Sequence, residues 1–374
     1  MNNLKDHIGR VFVFCIINVI LWLAEERDMN CKLREQGFEQ GSCHVFDFTT
    51  GREQTACEST LKYERGIPYR LINAILLSRP EHYLSVYQSG CNLSCKKCHS
   101  WQFTQNAVGE WMSPQDIAKE VERYMQEYEI TFVRREHATS WHAHELCKSC
   151  GSCIMQGKSS KSCPGVLSVD KIELSPQGWG PARNIIAFTG GDLTCQPEYY
   201  VKSAKLIKQL NENVWVLFET NGYGLTPTNL DLFQQAGIDS FWLDIKAYDE
   251  EVHRKLTGVS NSRILKLPAE IQDRDFILEV LSLYIPGWVE TDQIGKIASE
   301  LAAVDAEIPF TILAFFPAYK MSEVPPPDLW QMINAYTAAK DAGLRKIKLG
   351  NVHLFVKTRE EYETLEKIVG EESF

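Results

Sequence analysis

From residue 184 onward the chain alternates short apolar runs with longer stretches whose apolar residues recur at helical spacing. The short runs, at 184–188, 214–218, 240–245, 276–284, 310–315 and 346–348, predict strands. The stretches 198–210, 229–236, 291–303 and 329–342 predict the helices between them. An earlier strand is expected over 82–88, where HYLSVYQ alternates and runs into Gly90. Ser113-Pro114-Gln115-Asp116 reads as a helix start, with Ser as N-cap, Pro at the first helical position and an acid in the first turn. Ile117, Val121, Met125 and Tyr128 then share one helical face. Successive strand–helix units imply a parallel sheet with right-handed crossovers. Polar residues gather at the ends of the strands, and in a parallel barrel that C-terminal rim carries the active site.

Two regions break the pattern. Residues 130–182 are rich in Cys, Lys, Ser and Gly and read as an insertion. Residues 29–80 are mixed and predict no clear order. Residues 11–24 are almost wholly apolar behind Lys5 and Arg10, like the charged and apolar parts of a signal peptide. The run is short of the ~20 residues a membrane span needs, and no A-x-A-like cleavage site follows. Three readings stay open: an export or membrane element, a buried N-terminal helix, or an upstream extension with initiation at Met29. The expected organisation is an N-terminal extension over 1–80, a barrel over 81–357 interrupted at 130–182, and a C-terminal helix over 358–374. The fold class is α/β: a partial parallel (β/α)6 TIM-like barrel with a ferredoxin-like iron–sulfur insertion.

Composition narrows the function classes. The 374 residues are 44% hydrophobic and 24% charged, which excludes a collagen-like, disordered or many-span membrane chain. The net charge of −10 gives no basic field for phosphate, so no nucleic acid is expected, and no stable membrane association either. Cysteine is the unusual residue. Cys91, Cys95 and Cys98 form C-x3-C-x2-C; Cys147, Cys150, Cys153 and Cys163 form C-x2-C-x2-C-x9-C before Pro164. Tight thiol groups suit soft-metal ligation and a reducing, cytoplasmic compartment better than a disulfide framework. Three thiolates hold three corners of a [4Fe–4S] cube and leave one iron open. A zinc site completed by His99 is the alternative for the triad.

SGCNLSCKKCHSW, FTGGD (188–192), ETNG (219–222), LDIKAYDEEVHRKLTGVSNSRIL (243–265), YIPGW (284–288) and FFPAYKM (315–321) occur in order. Together they resemble the radical S-adenosylmethionine (SAM) superfamily. The branch they resemble is that of the pyruvate formate-lyase activating enzymes and their archaeal AmmeMemoRadiSam-type relatives. The resemblance runs from about 82 to 352. It implies a [4Fe–4S] cluster on Cys91, Cys95 and Cys98 whose open iron is chelated by SAM. One electron then cleaves the sulfonium C–S bond, and the resulting 5′-deoxyadenosyl radical takes a hydrogen atom from the substrate. It also implies SAM contacts from Gly190, Gly191 and Asp192, from Glu219, Thr220 and Asn221, and from Lys246 and Pro286. Asp244, with Glu219, is where the activating enzymes hold a monovalent cation. Plain turns, helix caps and a bland Asp244–Lys246 salt bridge are the alternatives.

Two positions depart from the branch. Lys97 stands where an aromatic usually precedes the third Cys, and Phe316 where the activating enzymes carry a His. Cys147, Cys150, Cys153 and Cys163 resemble a ferredoxin motif and imply one auxiliary [4Fe–4S] cluster relaying electrons, with zinc or unligated thiols as alternatives. His137, His142 and His144 precede that group as tuning or structural residues. Cys195 is read as a buried thiol, with a radical relay or a ligand as alternatives. Ferredoxin or flavodoxin is the expected reductant. The target is a glycyl-radical enzyme, or else a peptide side chain, a cofactor precursor or RNA. A non-catalytic iron–sulfur carrier is the reading from another class.

Overall fold

The computed structural model describes residues 31–79 and 81–374; the apolar 11–24 run, Met29 and Cys15 lie outside them. Seven parallel strands pair in sequence order: β1 (Leu84–Gln88), β2 (Ile185–Gly190), β3 (Trp215–Thr220), β4 (Ser240–Asp244), β5 (Ile277–Tyr284), β6 (Phe310–Ala314) and β7 (Ile347–Gly350). The path carries one parallel strand more than six units require. It stays open among the described residues, since β7 ends it on one side and antiparallel strands continue it beyond β1. Those strands, Ile67–Leu77 and Leu61–Glu64 with Glu110–Met112 beside them, come mostly from the stretch that predicted no clear order. Residues 61–64 and 67–77 are thus part of the main sheet.

Helices follow the strands: α1 (Pro114–Glu127), α2 (Pro197–Leu210), α3 (Pro227–Ala236), α4 (Glu250–Thr257), α5 (Leu267–Gln272), α6 (Thr291–Val304), α7 (Leu329–Asp341) and α8 (Arg359–Val369). Ser113 starts α1 with a reciprocal capping box to Asp116. No helix among the described residues is long and apolar enough to cross a membrane.

Period-two alternation divides each strand between two faces. Phe188, Phe218 and Phe241 lie in register on β2, β3 and β4. Their rings meet edge to face with Tyr200, Phe233 and Phe276 between sheet and helices. Phe218→Ala would leave a cavity at the centre of this array and cost about 3–5 kcal/mol; the denaturant midpoint of the variant checks this.

The alternate residues face the barrel interior. Ile185, Ala187 and Leu217 pack there with Tyr83 and with Ala138 of the insertion. The insertion leaves and returns at adjacent points, because Ile130–Thr131 pairs in parallel with Ala182–Arg183. Its first part closes the N-terminal mouth of the barrel. Ser240 Oγ donates to the Ala138 carbonyl, Trp215 Nε1 to the Val133 carbonyl, and the buried Arg183 guanidinium to the carbonyls of His137 and Thr139.

Glu279 lies at the same mouth, accepting from Trp141 N at 2.8 Å and from Thr311 Oγ1 at 3.3 Å. Burial pushes its carboxyl up to about 7. The unfolded chain therefore ionises this group first. Its contribution to stability is full on the acid side and is lost as pH rises from about 4.5 to about 7. Glu279→Gln should flatten part of that decline. Denaturant midpoints measured across this range give the slope; an unchanged slope in the variant would contradict the assignment.

Candidate active site at the C-terminal rim

The C-x3-C-x2-C loop leaves β1 through Gly90, whose φ is +75°. A Cβ there would stand 2.4 Å from Thr60 Oγ1, so only glycine fits both the turn and the packing. Cys91 and Cys95 are buried and Cys98 is half-buried. Burial, with Asp192 and Cys95 nearby, pushes the Cys91 thiol far up. Burial likewise takes Cys95 to about 12, against the pull of Lys246 and with a contribution from Cys98. The three thiols thus sense one another in series. The raised thiols of Cys91 and Cys95 stay protonated unless a metal replaces the proton, and ligation requires that exchange.

The rim motifs are knitted to this loop. Asn221 Nδ2 donates to Cys91 Sγ at 3.6 Å and to Asn92 Oδ1 at 2.8 Å. Asn92 N donates to the Asp192 carbonyl at 2.8 Å. The buried Asp192 carboxylate accepts from Thr194 N, Thr194 Oγ1, Thr220 Oγ1 and Asn221 N at 2.6–3.0 Å. The side chains of Asp192 and Thr220 are therefore engaged with each other, holding GGD against ETNG. Gly191 meets β1 closely: a Cβ would sit 2.1 Å from the Gly90 carbonyl oxygen and 2.7 Å from that of Gln88. Gly190, at φ +81°, would put a Cβ 2.7 Å from the Phe103 ring. The close approach at these glycines is thus to neighbouring protein.

Glu219 faces the barrel interior. Its carboxylate accepts from Tyr83 Oη and Thr189 Oγ1, each at 2.5 Å, and burial raises its pKa. Asp244 pairs with Lys246, and its Oδ1 is buried without a partner. Burial disfavours the Lys246 charge, but Asp244 and Cys95 outweigh it and hold the ammonium protonated. Of the two acids expected to take a cation, Glu219 is satisfied by hydroxyls, whereas Asp244 engages Lys246 through Oδ2 alone and keeps Oδ1 unpartnered.

A hollow opens here, lined by Cys95, Lys97, Lys246, Leu256, Thr257, Leu283 and Ile285. YIPGW reaches it through Ile285, one residue before the expected Pro286. The two departures from the branch meet at this hollow. Lys97 Nζ, buried and without a hydrogen-bond partner, stands 3.3 Å from the Phe316 ring centroid. Burial brings its pKa down to about 8, and the ring face compensates part of the lost hydration. His99 packs edge-on to Phe316 at 5.5 Å rather than reaching into a ligand set. Asn92 was missed in the sequence. Its signal was its place between Cys91 and Leu93, yet only the fold brings it to Asn221 and Asp192.

Cys147, Cys150, Cys153 and Cys163 line a second hollow. It lies at the far end of the barrel: the Cys147 carbonyl is 3.3 Å from Nε2 of His82, just before β1, whereas Cys91 follows the end of β1. The five residues of β1 alone span ~17 Å. His137 and His142 stack at 4.0 Å and both meet Glu145, at 3.6 and 2.7 Å. His144 is not part of that trio.

The model of the radical SAM superfamily matches residues 150–301, a stretch that begins after the triad. A Methanocaldococcus jannaschii protein named for glycyl-radical enzyme activation is 32% identical over 134 residues, 35% of this chain and 49% of its own. The chain thus spans about half the length of that relative. The isethionate sulfite-lyase activating enzyme of Oleidesulfovibrio alaskensis is 23% identical over 68% of this chain and 84% of its own. Streptococcus suis SuiB bound to S-adenosylmethionine overlays with a TM-score of 0.47 at 13% identity, covering 75% of this chain and 54% of that one.

Proposed function

From the match of residues 150–301 to the radical SAM superfamily and the likeness to activating enzymes, we propose that the chain cleaves SAM reductively at Cys91, Cys95 and Cys98. Its target in this reading is a backbone glycine of a partner protein. The observation that carries the reading is the single network joining Asn221 to Cys91 and Asn92, and Asp192 to Thr220 and Asn221. It fixes three strand ends around one thiol triad. The donor set suits a cluster: three thiols, two deeply buried, beside the cationic Lys246 that offsets thiolate charge. When bound, cluster and SAM supply one electron and a carbon radical able to take a hydrogen atom. The chain's own residues orient and shield. Leu256, Leu283 and Ile285 keep water from the hollow; Lys97 and Lys246 offer cationic donors for a carboxylate. Gly190, Gly191, Asp192, Glu219 and Thr220 hold the rim in shape around it.

The relatives are named as activators of other enzymes, one of them of a glycyl-radical enzyme, which favours a protein target over a cofactor precursor or RNA. Transfer of deuterium from an α-deuterated glycine loop of a co-encoded partner to 5′-deoxyadenosine would establish the target. Deuterium arriving instead from a side chain or small molecule would replace it.

Cys147, Cys150, Cys153 and Cys163 in this reading hold an auxiliary [4Fe–4S] cluster, and ferredoxin or flavodoxin docks at that mouth. Replacing Cys147 and Cys153 with Ala should remove about four irons. A small chemical reductant reaches the triad directly, so 5′-deoxyadenosine formation should then be unchanged, while the rate with a protein reductant falls. Loss of both rates alike would show that the far group serves the rim in another way.

A further inference from the structure

The described residues include eleven free cysteines, and seven belong to the two motifs. The other four are Cys31, Cys43, Cys57 and Cys195, separated by up to 164 residues in sequence. Cys31 precedes the short helix Lys32–Glu35, Cys43 the strand Val45–Asp47, and Cys57 lies in the helix Ala56–Thr60. Cys195 follows the GGD turn, ahead of α2. All four lie in or against the main hydrophobic core; Cys43, Cys57 and Cys195 are buried and Cys31 is half-buried. Gln196, the residue after Cys195, reaches Cys57 Sγ, and the Cys57 and Cys195 thiols perturb each other; Cys43 and Cys195 each respond to both Cys57 and Cys31.

The surroundings are arranged for sulfur that carries charge. Gln196 Nε2 donates to Cys57 Sγ at 3.4 Å, and Gln40 Nε2 to Cys43 Sγ at 3.7 Å. Arg70 is fully buried and forms no ion pair among the described residues; it donates to the Thr60 and Ser89 carbonyls and to Thr60 Oγ1. A buried cation without a carboxylate is costly unless another anion answers it. The Cys195 thiol, Gln196 and Arg70 together bring Cys57 down to about 7 against its burial. Four thiols filling space as small apolar groups need neither the amide donors nor the cation.

We propose that Cys31, Cys43, Cys57 and Cys195 form a third soft-metal site, a four-thiolate centre for zinc or an iron–sulfur cube. It stands on the catalytic side of the barrel. The loop that carries Cys43 packs on the triad loop: Ser94 N donates to Ser42 Oγ at 2.9 Å, and a Cβ on Gly41 would come within 2.1 Å of the Asn92 carbonyl oxygen. Four thiolates satisfy zinc as a closed structural site or all four corners of a cube. The centre would tie the 31–60 segment to the rim beside the catalytic triad.

Iron and zinc analysis of the full chain, purified anaerobically, tests this by difference. The C57S/C195S variant should lose about one zinc or about four irons per chain relative to wild type, the metal lost identifying the centre. The C91A/C95A/C98A variant should keep that complement. The result is thus independent of whether the triad cleaves SAM. Equal iron and zinc in wild type and C57S/C195S would overturn the proposal, as would a Cys57–Cys195 disulfide in the anaerobic protein. Should the double variant fail to fold, alkylation of Cys31 in the unmodified chain gives the same answer. Cys31 should resist labelling until a chelator is added, and equal labelling with and without chelator would overturn the site.

Discussion

Replacing any one of Cys91, Cys95 and Cys98 with Ala should abolish 5′-deoxyadenosine formation, and the triple replacement should remove about four irons per chain. The loss is all-or-none if, as proposed, three thiolates are the whole protein share of the site and no neighbour substitutes for one. His99 faces Phe316, and Cys195 is turned toward Cys57. The fold should survive, since Cys-to-Ala removes only one heavy atom at each position. Unfolding midpoints of the apo proteins, compared across the three single variants, separate the two effects.

Asp192→Ala should produce the next largest loss, a fall of at least about 100-fold in SAM cleavage. The carboxylate satisfies two backbone N–H groups and two hydroxyls at once, all buried. Removing it leaves those donors unpaired at ~1–3 kcal/mol each. The cost falls on the geometry that links β2, β3 and the triad loop. Asp192→Asn keeps the size and two oxygen–donor contacts, so it should retain more activity than Ala. Iron content should stay near wild type in both, because no cysteine is touched. A variant that loses its iron instead would place Asp192 in cluster retention.

Much of this was legible in the chain. Strands β2 to β7 fall where the apolar runs stand, and the helix starts at Ser113 with the expected cap. Period and caps are local, so one sequence suffices. The roles of Asp192, Glu219 and Asp244 were less legible, because a motif names a residue but not its partners. Glu219 points inward on β3 to Tyr83 and Thr189, a consequence of alternation that only the register makes visible. The strand at 61–64 was missed because it is short and lies at the sheet edge, and that at 67–77 because Arg70 and Asn73 interrupt its apolar run although it is paired on both sides. Cys31, Cys43, Cys57 and Cys195 have no motif spacing, and their convergence is a property of the fold alone.

The two expected cysteine groups occupy opposite mouths of one barrel. An insertion placed between α1 and β2 opens at the N-terminal end of the sheet, whereas the triad follows the C-terminal end of β1. Tyr83, Trp242 and the buried acids Glu219 and Glu279 lie in the barrel interior between them. The rim four-cysteine group, if metallated, is the nearer neighbour of the triad: Asp192 acts on both Cys91 and Cys195.

The central claim is that this chain cleaves SAM at Cys91, Cys95 and Cys98. It is tested most directly by incubating the anaerobically reconstituted full chain with SAM and a strong chemical reductant, and measuring 5′-deoxyadenosine. The wild-type chain should form it and the C91A/C95A/C98A variant should not. Formation at the wild-type rate by that variant, or none by a fully iron-loaded wild type, would contradict the account.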